Sequence, residues 1–242
     1  MKKIYEKNPV WFAVLWILLY VLGTGFADSA SRSMGTEKLL TLPVHLILTA
    51  VLWVWIRKNG LSGHFGLCRG WYKAGRLLWY IPLVLIPCVN LRNGLHLNLS
   101  PVESVLYAGS MLLVGFLEEV IFRGLLFKAL RPGSVRRAVI ISAVTFGMGH
   151  LVNLFSGNGN STAETLLQVC YAVALGFLFV ILFERGGSLW PAIACHSAID
   201  VLSAFAGEDA SEGRHVLFCV LLILISLGYT VFLLKALPPR KE

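Results

Sequence analysis

The stretch Gly115-Phe116-Leu117-Glu118-Glu119-Val120-Ile121-Phe122-Arg123-Gly124 places three ionisable residues inside an apolar run over residues 104–130. A charge near the centre of a bilayer costs roughly 2.5–3.5 kcal/mol on insertion scales, so charged residues in a membrane span indicate a functional site or a buried pair. Glu119 and Arg123 are four residues apart, which places them on one helical face where an acid preceding a base pairs well. Glu118 is rotated by about 100° from Glu119, so this pairing leaves its carboxylate unexplained.

The composition is that of a polytopic membrane protein rather than a soluble domain. Apolar residues make up 57% of the 242 residues, charged residues make up 14%, and the mean hydropathy is +0.73,. We therefore predict an all-α protein with one transmembrane domain over residues 1–242, in which residues 104–206 form the core that carries the motifs. The net charge of +8 does not predict nucleic-acid binding, because no motif for such binding accompanies it.

Eight apolar segments predict about eight membrane spans. They cover residues 10–26, 39–56, 77–91, 104–130, 138–155, 163–183, 189–206 and 215–234. The first is interpreted as a retained helix, because it is long for a signal sequence and further spans follow it. Pro82 and Pro87 are expected to kink or break the third span,.

The basic residues of the loops predict the orientation, because cytoplasmic loops carry an excess of lysine and arginine. Eight spans with the N-terminus inside place only Arg32, Lys38, Arg92 and Arg214 on the outer side. Sixteen lysines and arginines then lie on the inner side: Lys2, Lys3, Lys7, Arg57, Lys58, Arg69, Lys73, Arg76, Lys128, Arg131, Arg136, Arg137, Arg185, Lys235, Arg240 and Lys241. Both termini are predicted to be cytoplasmic, in a multi-pass protein of the cell membrane.

Three further polar residues lie in other predicted spans. His150 is in the fifth span, and His196 and Asp200 are four residues apart in the seventh. A single histidine in a membrane is often only a hydrogen-bonded helix contact. At a rise of about 1.5 Å per residue, however, these residues and Glu119 lie roughly 11–20 Å from the nearest cytoplasmic ends. This shared depth predicts one polar cavity, which we expect to face the cytoplasm.

Two chemistries fit this set of side chains. In the first, Glu118 and His150 deprotonate a water that attacks a peptide carbonyl, while His196 and Asp200 stabilise the oxyanion or the leaving group. Asp200 would alternatively orient His196. In the second, His150, His196 and Glu118 bind Zn²⁺, which lowers the pKa of a bound water. The spacing leaves both open, since the His-Glu-x-x-His signature of zinc peptidases is absent.

Three ordered motifs resemble those of the CPBP family of intramembrane proteases. The motifs are Glu118-Glu119-x-x-x-Arg123, Phe146-x-x-x-His150 and His196-x-x-x-Asp200. The family, also called Abi, includes CAAX-processing and bacteriocin-processing or immunity proteins and is related to the Ras-converting CAAX prenyl endopeptidase. The resemblance implies that Glu118 and His150 activate water, that Glu119 and Arg123 support them, and that His196 and residue 200 bind the oxyanion. Asp200 stands where many members have asparagine.

The leading hypothesis is therefore an intramembrane endopeptidase that cleaves a peptide or membrane-associated protein near the membrane surface. Its expected partners are membrane lipid and this substrate, with no nucleic acid; no cofactor is favoured, although zinc fits the second chemistry. A non-catalytic immunity or scaffold protein of the same fold is the alternative. A proton-coupled transporter would also use buried glutamate and histidine, but the sequence has no visible inverted repeat.

Overall fold

The computed structural model describes residues 1–68, 80–154, 161–207 and 211–238. The described part of the chain is helical, and its only β feature is an isolated antiparallel bridge between Leu95 and Ala206. The first three residues of the predicted third span, 77–79, lie outside the described residues. So do the basic residues Arg69, Lys73, Arg76, Arg240 and Lys241.

The described chain forms ten α-helices, interrupted by 3-10 and π segments. The α-helices are α1 (Lys2–Lys7), α2 (Pro9–Ser33), α3 (Thr41–Lys58), α4 (Ile81–Leu85), α5 (Pro101–Glu118), α6 (Lys128–Leu130), α7 (Val135–Gly149), α8 (Thr162–Gly186), α9 (Trp190–Ser203) and α10 (Glu212–Ala236). The 3-10 segments Ile86–Leu91 and His150–Leu154 continue α4 and α7, and the π-helix Glu119–Phe127 joins α5 to α6.

Six helical stretches in the described residues are long and apolar enough to cross a membrane. They are Pro9–Ser33, Thr41–Lys58, Pro101–Leu130, Val135–Leu154, Thr162–Gly186 and Glu212–Ala236. Large apolar side chains cover their outer faces; Phe26, for example, is 75% exposed. Exposed apolar surface on this scale is stable in lipid but not in water. The predicted all-helical, multi-pass class of membrane protein agrees with this architecture.

The third and seventh predicted spans are shorter helices than the sequence predicted. The third corresponds to Ile81–Leu91, in which Pro87 lies at the start of the 3-10 segment. The proline has no backbone N–H to continue an α-helix, which explains the change of helix type. The seventh corresponds to α9, whose 14 residues extend about 21 Å at 1.5 Å per residue. This length is less than the roughly 30 Å of a bilayer core.

Side chains at the helix starts satisfy backbone N–H groups that have no partner within the helix. Ser100 and Glu103 form a capping box at α5, and Ser161 and Glu164 form another at α8. Gly187 ends α8 in the left-handed conformation, with φ of 73°. Because glycine lacks a Cβ, it adopts this conformation without strain. These signals make the boundaries of α5 and α8 readable from the sequence.

Glycines allow α7 and α8 to approach closely in the centre of the bundle. A Cβ at Gly176 would lie 2.9 Å from the Ala143 carbonyl oxygen. A Cβ at Gly147 would overlap the Val173 side chain and lie 2.8 Å from the Val173 backbone nitrogen. Small residues at such contacts are typical of helix pairs in membranes, where close van der Waals packing drives association. This packing fixes the position of α7, which carries His150 at its end.

We expect Gly147→Ala to lower stability by about 1–3 kcal/mol, because overpacking forces a backbone shift. Thermal unfolding in detergent micelles measures the change. Gly149→Ala in the same helix is the matched control, since nothing lies within 4 Å of a Cβ at that position. The control should leave stability unchanged or raise it slightly, because alanine favours a helix more than glycine does. Equal losses in both variants would contradict the packing argument.

Candidate active site

The helix that carries the motif changes its geometry at the second glutamate. Glu118 is the last residue of α5, and Glu119 is the first residue of the π-helix that extends to Phe127. π-Segments are rare and occur frequently at functional sites. Here the Phe122 carbonyl accepts a hydrogen bond from Ser142 Oγ of α7 at 2.9 Å. The helix therefore keeps a wider turn at the site, and α7 stabilises it.

A glycine brings α9 against α5 at the same level. A Cβ at Gly115 would overlap Ser197 Oγ and lie 2.7 Å from the Ser197 backbone nitrogen. Ser197 Oγ also donates to the Leu112 carbonyl at 3.1 Å. Because the two backbones are this close, His196, the residue before Ser197, reaches the glutamates of the motif.

One carboxylate oxygen of Glu119 contacts two side chains, Arg123 and His196. Arg123 Nη1 donates to Glu119 Oε1 at 2.9 Å, and His196 Nδ1 lies 2.9 Å from the same oxygen. The side chains of Glu119 and Arg123 have no exposed surface. The i,i+4 pair that the spacing predicted is thus present, and it also contacts the histidine of α9. A carboxylate accepts hydrogen bonds only, so this contact places a proton on His196 Nδ1.

The opposite nitrogen of the His196 ring faces the two remaining carboxylates. His196 Nε2 lies 3.6 Å from Glu118 Oε2 and 3.4 Å from Asp200 Oδ2. The side chains of Glu118 and Asp200 are partly accessible, at 13% and 23%. Glu119 contacts Nδ1 and Asp200 contacts Nε2, so the alternative in which Asp200 orients His196 would act through Nε2, on the side of the ring that also faces Glu118.

Tyr20 is a site residue that the sequence analysis missed. Its hydroxyl donates to Glu118 Oε1 at 2.6 Å, from α2 and across 98 residues of sequence. A tyrosine in a first membrane span has no local pattern that distinguishes it from packing residues, which explains the omission. The bond leaves Glu118 Oε2 as the oxygen that faces His196.

Aromatic rings surround the ionised pair. The Arg123 guanidinium lies 4.0 Å from the centroid of the Phe146 ring and 5.6 Å from that of Phe179. The His196 ring stacks on Phe179 at 5.7 Å between centroids. Two guanidinium nitrogens of Arg123, Nε and Nη2, have no hydrogen-bond partner among the described residues. Cation–π contact stabilises a desolvated guanidinium and partly replaces these bonds.

His150 lies in the same cavity but does not join the hydrogen-bonded cluster. Its ring contacts the edge of Phe146, with centroids 5.7 Å apart, and Phe146 also contacts His196 at 5.4 Å. Within the described part of the chain, no hydrogen bond or ion pair joins His150 to Glu118. Both side chains nevertheless line the cavity, Glu118 from the end of α5 and His150 from the end of α7.

The cavity has a volume of about 280 Å³, and three of the four residues that the sequence placed at one depth, His150, His196 and Asp200, line it; the fourth, Glu119, is buried beside it. Glu118, His150, His196 and Asp200 line it, together with Tyr20. Lys38 and Asp28 also line it and form an ion pair of 2.8 Å. These two residues belong to the end of the bundle that the orientation assigned to the outside. The predicted opening toward the cytoplasm therefore does not agree with the predicted orientation, because depth alone does not show which half of a bundle is hollow.

The metal alternative requires three side chains to gather around one ion. No group of three or more His, Cys, Asp or Glu side chains in the described residues is arranged to hold a metal ion. His196 Nδ1 contacts Glu119, and only its Nε2 faces the carboxylates Glu118 and Asp200. In this geometry, His150, His196 and Glu118 would have to move to bind a common ion.

Comparison with known protein families gives a match over the part of the chain that carries the motifs. Residues 100–202 match the family described as type II CAAX prenyl endopeptidase, Rce1-like. The matched residues include all three motifs and all six site residues that the sequence predicted; Tyr20 lies outside them. No curated protein and no solved structure matches the chain.

We expect Arg123→Met to lower the free energy of unfolding by about 3–5 kcal/mol, because it leaves the Glu119 carboxylate buried without its cation. The double variant Arg123→Met/Glu119→Gln removes the charge as well and should recover part of this loss. Thermal unfolding in detergent compares the two proteins. If the double variant is less stable than Arg123→Met by the full cost of Glu119→Gln alone, the two residues act independently and the pairing argument is wrong.

Proposed function

Because residues 100–202 match the family described as type II CAAX prenyl endopeptidase, Rce1-like, we propose that the protein is an intramembrane endopeptidase. It hydrolyses a peptide bond near the membrane surface with a water that Glu118 and His150 activate. The observation that carries this proposal is the His196 ring, which is held between Glu119 on one nitrogen and Glu118 with Asp200 on the other. That arrangement supplies a base and an oriented acid in one cavity.

In the proposed first step, Glu118 removes a proton from a water in the cavity, and the water oxygen attacks the carbonyl carbon of the scissile bond. Tyr20 fixes one oxygen of Glu118, which directs the other toward the cavity. His150, which lines the same cavity, binds the same water. A general base of this kind contributes about 10²–10⁴-fold in rate.

In the proposed second step, the tetrahedral intermediate carries a negative charge on the former carbonyl oxygen. Protonated His196 donates from Nε2 to this oxygen, while Glu119 holds the ring through Nδ1,. The intermediate collapses when the C–N bond breaks and Glu118 returns its proton to the leaving nitrogen. Asp200 positions the same ring, since its carboxylate lies 3.4 Å from Nε2. This mechanism needs no metal or cofactor.

The proposal includes the finer architecture that the sequence predicts. Two shorter segments, Ile81–Leu91 and α9, lie among the six long helices as further membrane-embedded elements, which gives eight. Both termini are cytoplasmic, the protein belongs to the cell membrane, and residues 104–206 are its catalytic core. Membrane lipid surrounds it, and its substrate is a peptide or a membrane-associated protein. Processing of a bacteriocin or self-immunity is one biological setting for this activity.

Glu118→Gln should abolish cleavage, because the amide cannot accept the proton of the attacking water. The assay measures cleavage of a membrane-peptide library by purified protein in nanodiscs, with and without a zinc chelator. Glu6→Gln is the matched control, since Glu6 forms only an exposed contact of 3.8 Å with Lys2, and such pairs contribute little. Cleavage should resist the chelator.

Each other outcome of this assay points to a different function. Normal cleavage by Glu118→Gln would show that Glu118 is not the general base. Loss of cleavage in the presence of the chelator would indicate that His150 and His196 are metal ligands instead. If wild-type protein cuts no peptide, the non-catalytic immunity or scaffold function is favoured. Immunity that persists in Glu118→Gln would then establish that alternative.

Tyr20→Phe should lower kcat by roughly ten- to a hundredfold with little change in KM. A hydrogen bond to a charged group is worth about 1.5–3 kcal/mol, and about 1.4 kcal/mol corresponds to a factor of ten. Tyr107→Phe is the control, because Tyr107 lines the same cavity but contacts Ser203 at 3.2 Å. Equal effects of the two variants on kcat would show that Tyr20 does not position Glu118.

A further inference from the structure

The cavity occupies only one half of the bundle. Its lining begins at the level of Glu118 and continues toward the C-terminal ends of α2, α7 and α9 and toward the N-terminal ends of α3, α5 and α8. Because these helices alternate in direction, all of these ends lie on the same side of Glu118. A second cavity of about 140 Å³, between α2 and the end of α7, lies in the same half. The hollow part of the protein therefore extends from the site toward one membrane face.

The other half of the bundle is filled below the site. Arg123 lies next to Glu119, and beyond it Phe65, Phe127 and Phe183 are almost completely buried. Phe127 and Phe183 contact each other edge to face, with centroids 6.0 Å apart. Interiors packed in this way leave no space for water or a peptide.

The loop that follows α3 closes this filled half. Gly66, with φ of 72°, packs so closely on Phe183 that a Cβ there would overlap the ring. The Gly66 carbonyl accepts from the Leu189 backbone at 2.8 Å, and the Cys68 carbonyl accepts from Ser188 Oγ at 2.7 Å. These bonds hold the loop against the start of α9. The loop and the buried aromatic residues therefore close the site on this side, and together they are called the packed floor.

Basic residues mark the filled side as cytoplasmic. Sixteen basic residues were assigned to the cytoplasmic side. Five of them are not among the described residues, and the other eleven are. All eleven lie at or beyond the helix ends opposite the cavity. Among the described lysines and arginines, only Arg32, Lys38, Arg92 and Arg214 lie near the end of the hollow half. An excess of this size sets the orientation of a multi-pass protein.

We propose that the site opens to the extracytoplasmic face and that its substrate is a translocated or membrane-anchored polypeptide segment presented there. A C-terminal segment of a cytosolic protein would meet the packed floor instead. The cavity wall beyond the site is polar, with Asp28, Lys38, Asn90 and Tyr107 among its residues. Such a wall suits a hydrated peptide backbone, whose N–H and C=O groups require partners. This inference rests on the proposed protease function.

The test measures access to the cavity by thiol labelling and does not depend on cleavage. Cys68, Cys88, Cys170, Cys195 and Cys219 are first replaced by serine or alanine in the full chain. Single cysteines are then introduced as Ile199→Cys and Met111→Cys, two cavity positions on different helices that have no assigned catalytic role. A membrane-impermeant maleimide is applied to intact bacterial cells that express each variant, and again after the membranes are opened.

Two further variants mark the membrane faces. Ser33→Cys lies at the exposed end of α2 on the hollow side, and Pro132→Cys lies in the exposed loop between α6 and α7 on the basic side. We expect Ile199→Cys and Met111→Cys to label in intact cells, as Ser33→Cys does, and Pro132→Cys to label only in opened membranes.

Three results would overturn the inference. In the first, the cavity positions, like Pro132→Cys, label only after the membranes are opened. In the second, Pro132→Cys labels in intact cells. In the third, the cavity positions label neither in intact cells nor in opened membranes. The cysteine-free parent is assayed separately for cleavage. A protein that cleaves but labels from the cytoplasmic side disproves the direction alone, and one that labels from outside but never cleaves disproves the protease function alone.

Discussion

The candidate site depends on one buried carboxylate. Glu119 Oε1 accepts from Arg123 within its own helix and contacts His196 Nδ1 on α9, each at 2.9 Å. A carboxylate without partners at this depth would be expensive, so these contacts explain why the cluster contains both a cation and a histidine. The same oxygen joins two helices and orients the imidazole. The residue that the sequence treated as support thus holds both Arg123 and His196.

The π-helix explains how two adjacent glutamates serve different purposes. Glu118 ends a regular α-helix and is partly accessible, whereas Glu119 begins the wider turns and is completely buried. Tyr20 contacts the first and Arg123 the second. Neighbouring side chains of the same type therefore differ in solvation and in partners, which is how a protein assigns different acid–base roles to two carboxylates. We attribute the base to Glu118 because it alone of the pair reaches the cavity.

Local patterns in the sequence predicted much of this arrangement. Apolar length located the six long helices, i,i+4 spacing predicted the Glu119–Arg123 pair, and helical rise placed His196 and Asp200 at a common depth with the glutamates. Tyr20, the π-helix and the contact of Gly115 with Ser197 depend on which helices become neighbours, and no local pattern encodes that. The membrane face toward which the cavity lies also depends on how the helices pack, so no local pattern predicts it. Depth predicts the layer of a residue but not the direction from which solvent reaches it.

A hydrolase inside a membrane needs water at its site and a barrier against leakage across the bilayer. Two features of this protein meet these requirements from opposite sides. The aromatic residues Phe65, Phe127 and Phe183 fill the basic end, while α9 is only 14 residues long and α7 ends at Gly149 in a 3-10 turn. The end of α9 contributes Ile199, Asp200 and Ser203 to the cavity lining, so a helix that ends early leaves space between its longer neighbours at this level. In the proposed orientation, this end of α9 lies on the side from which water reaches the site, and changing the motifs themselves would not reverse that direction.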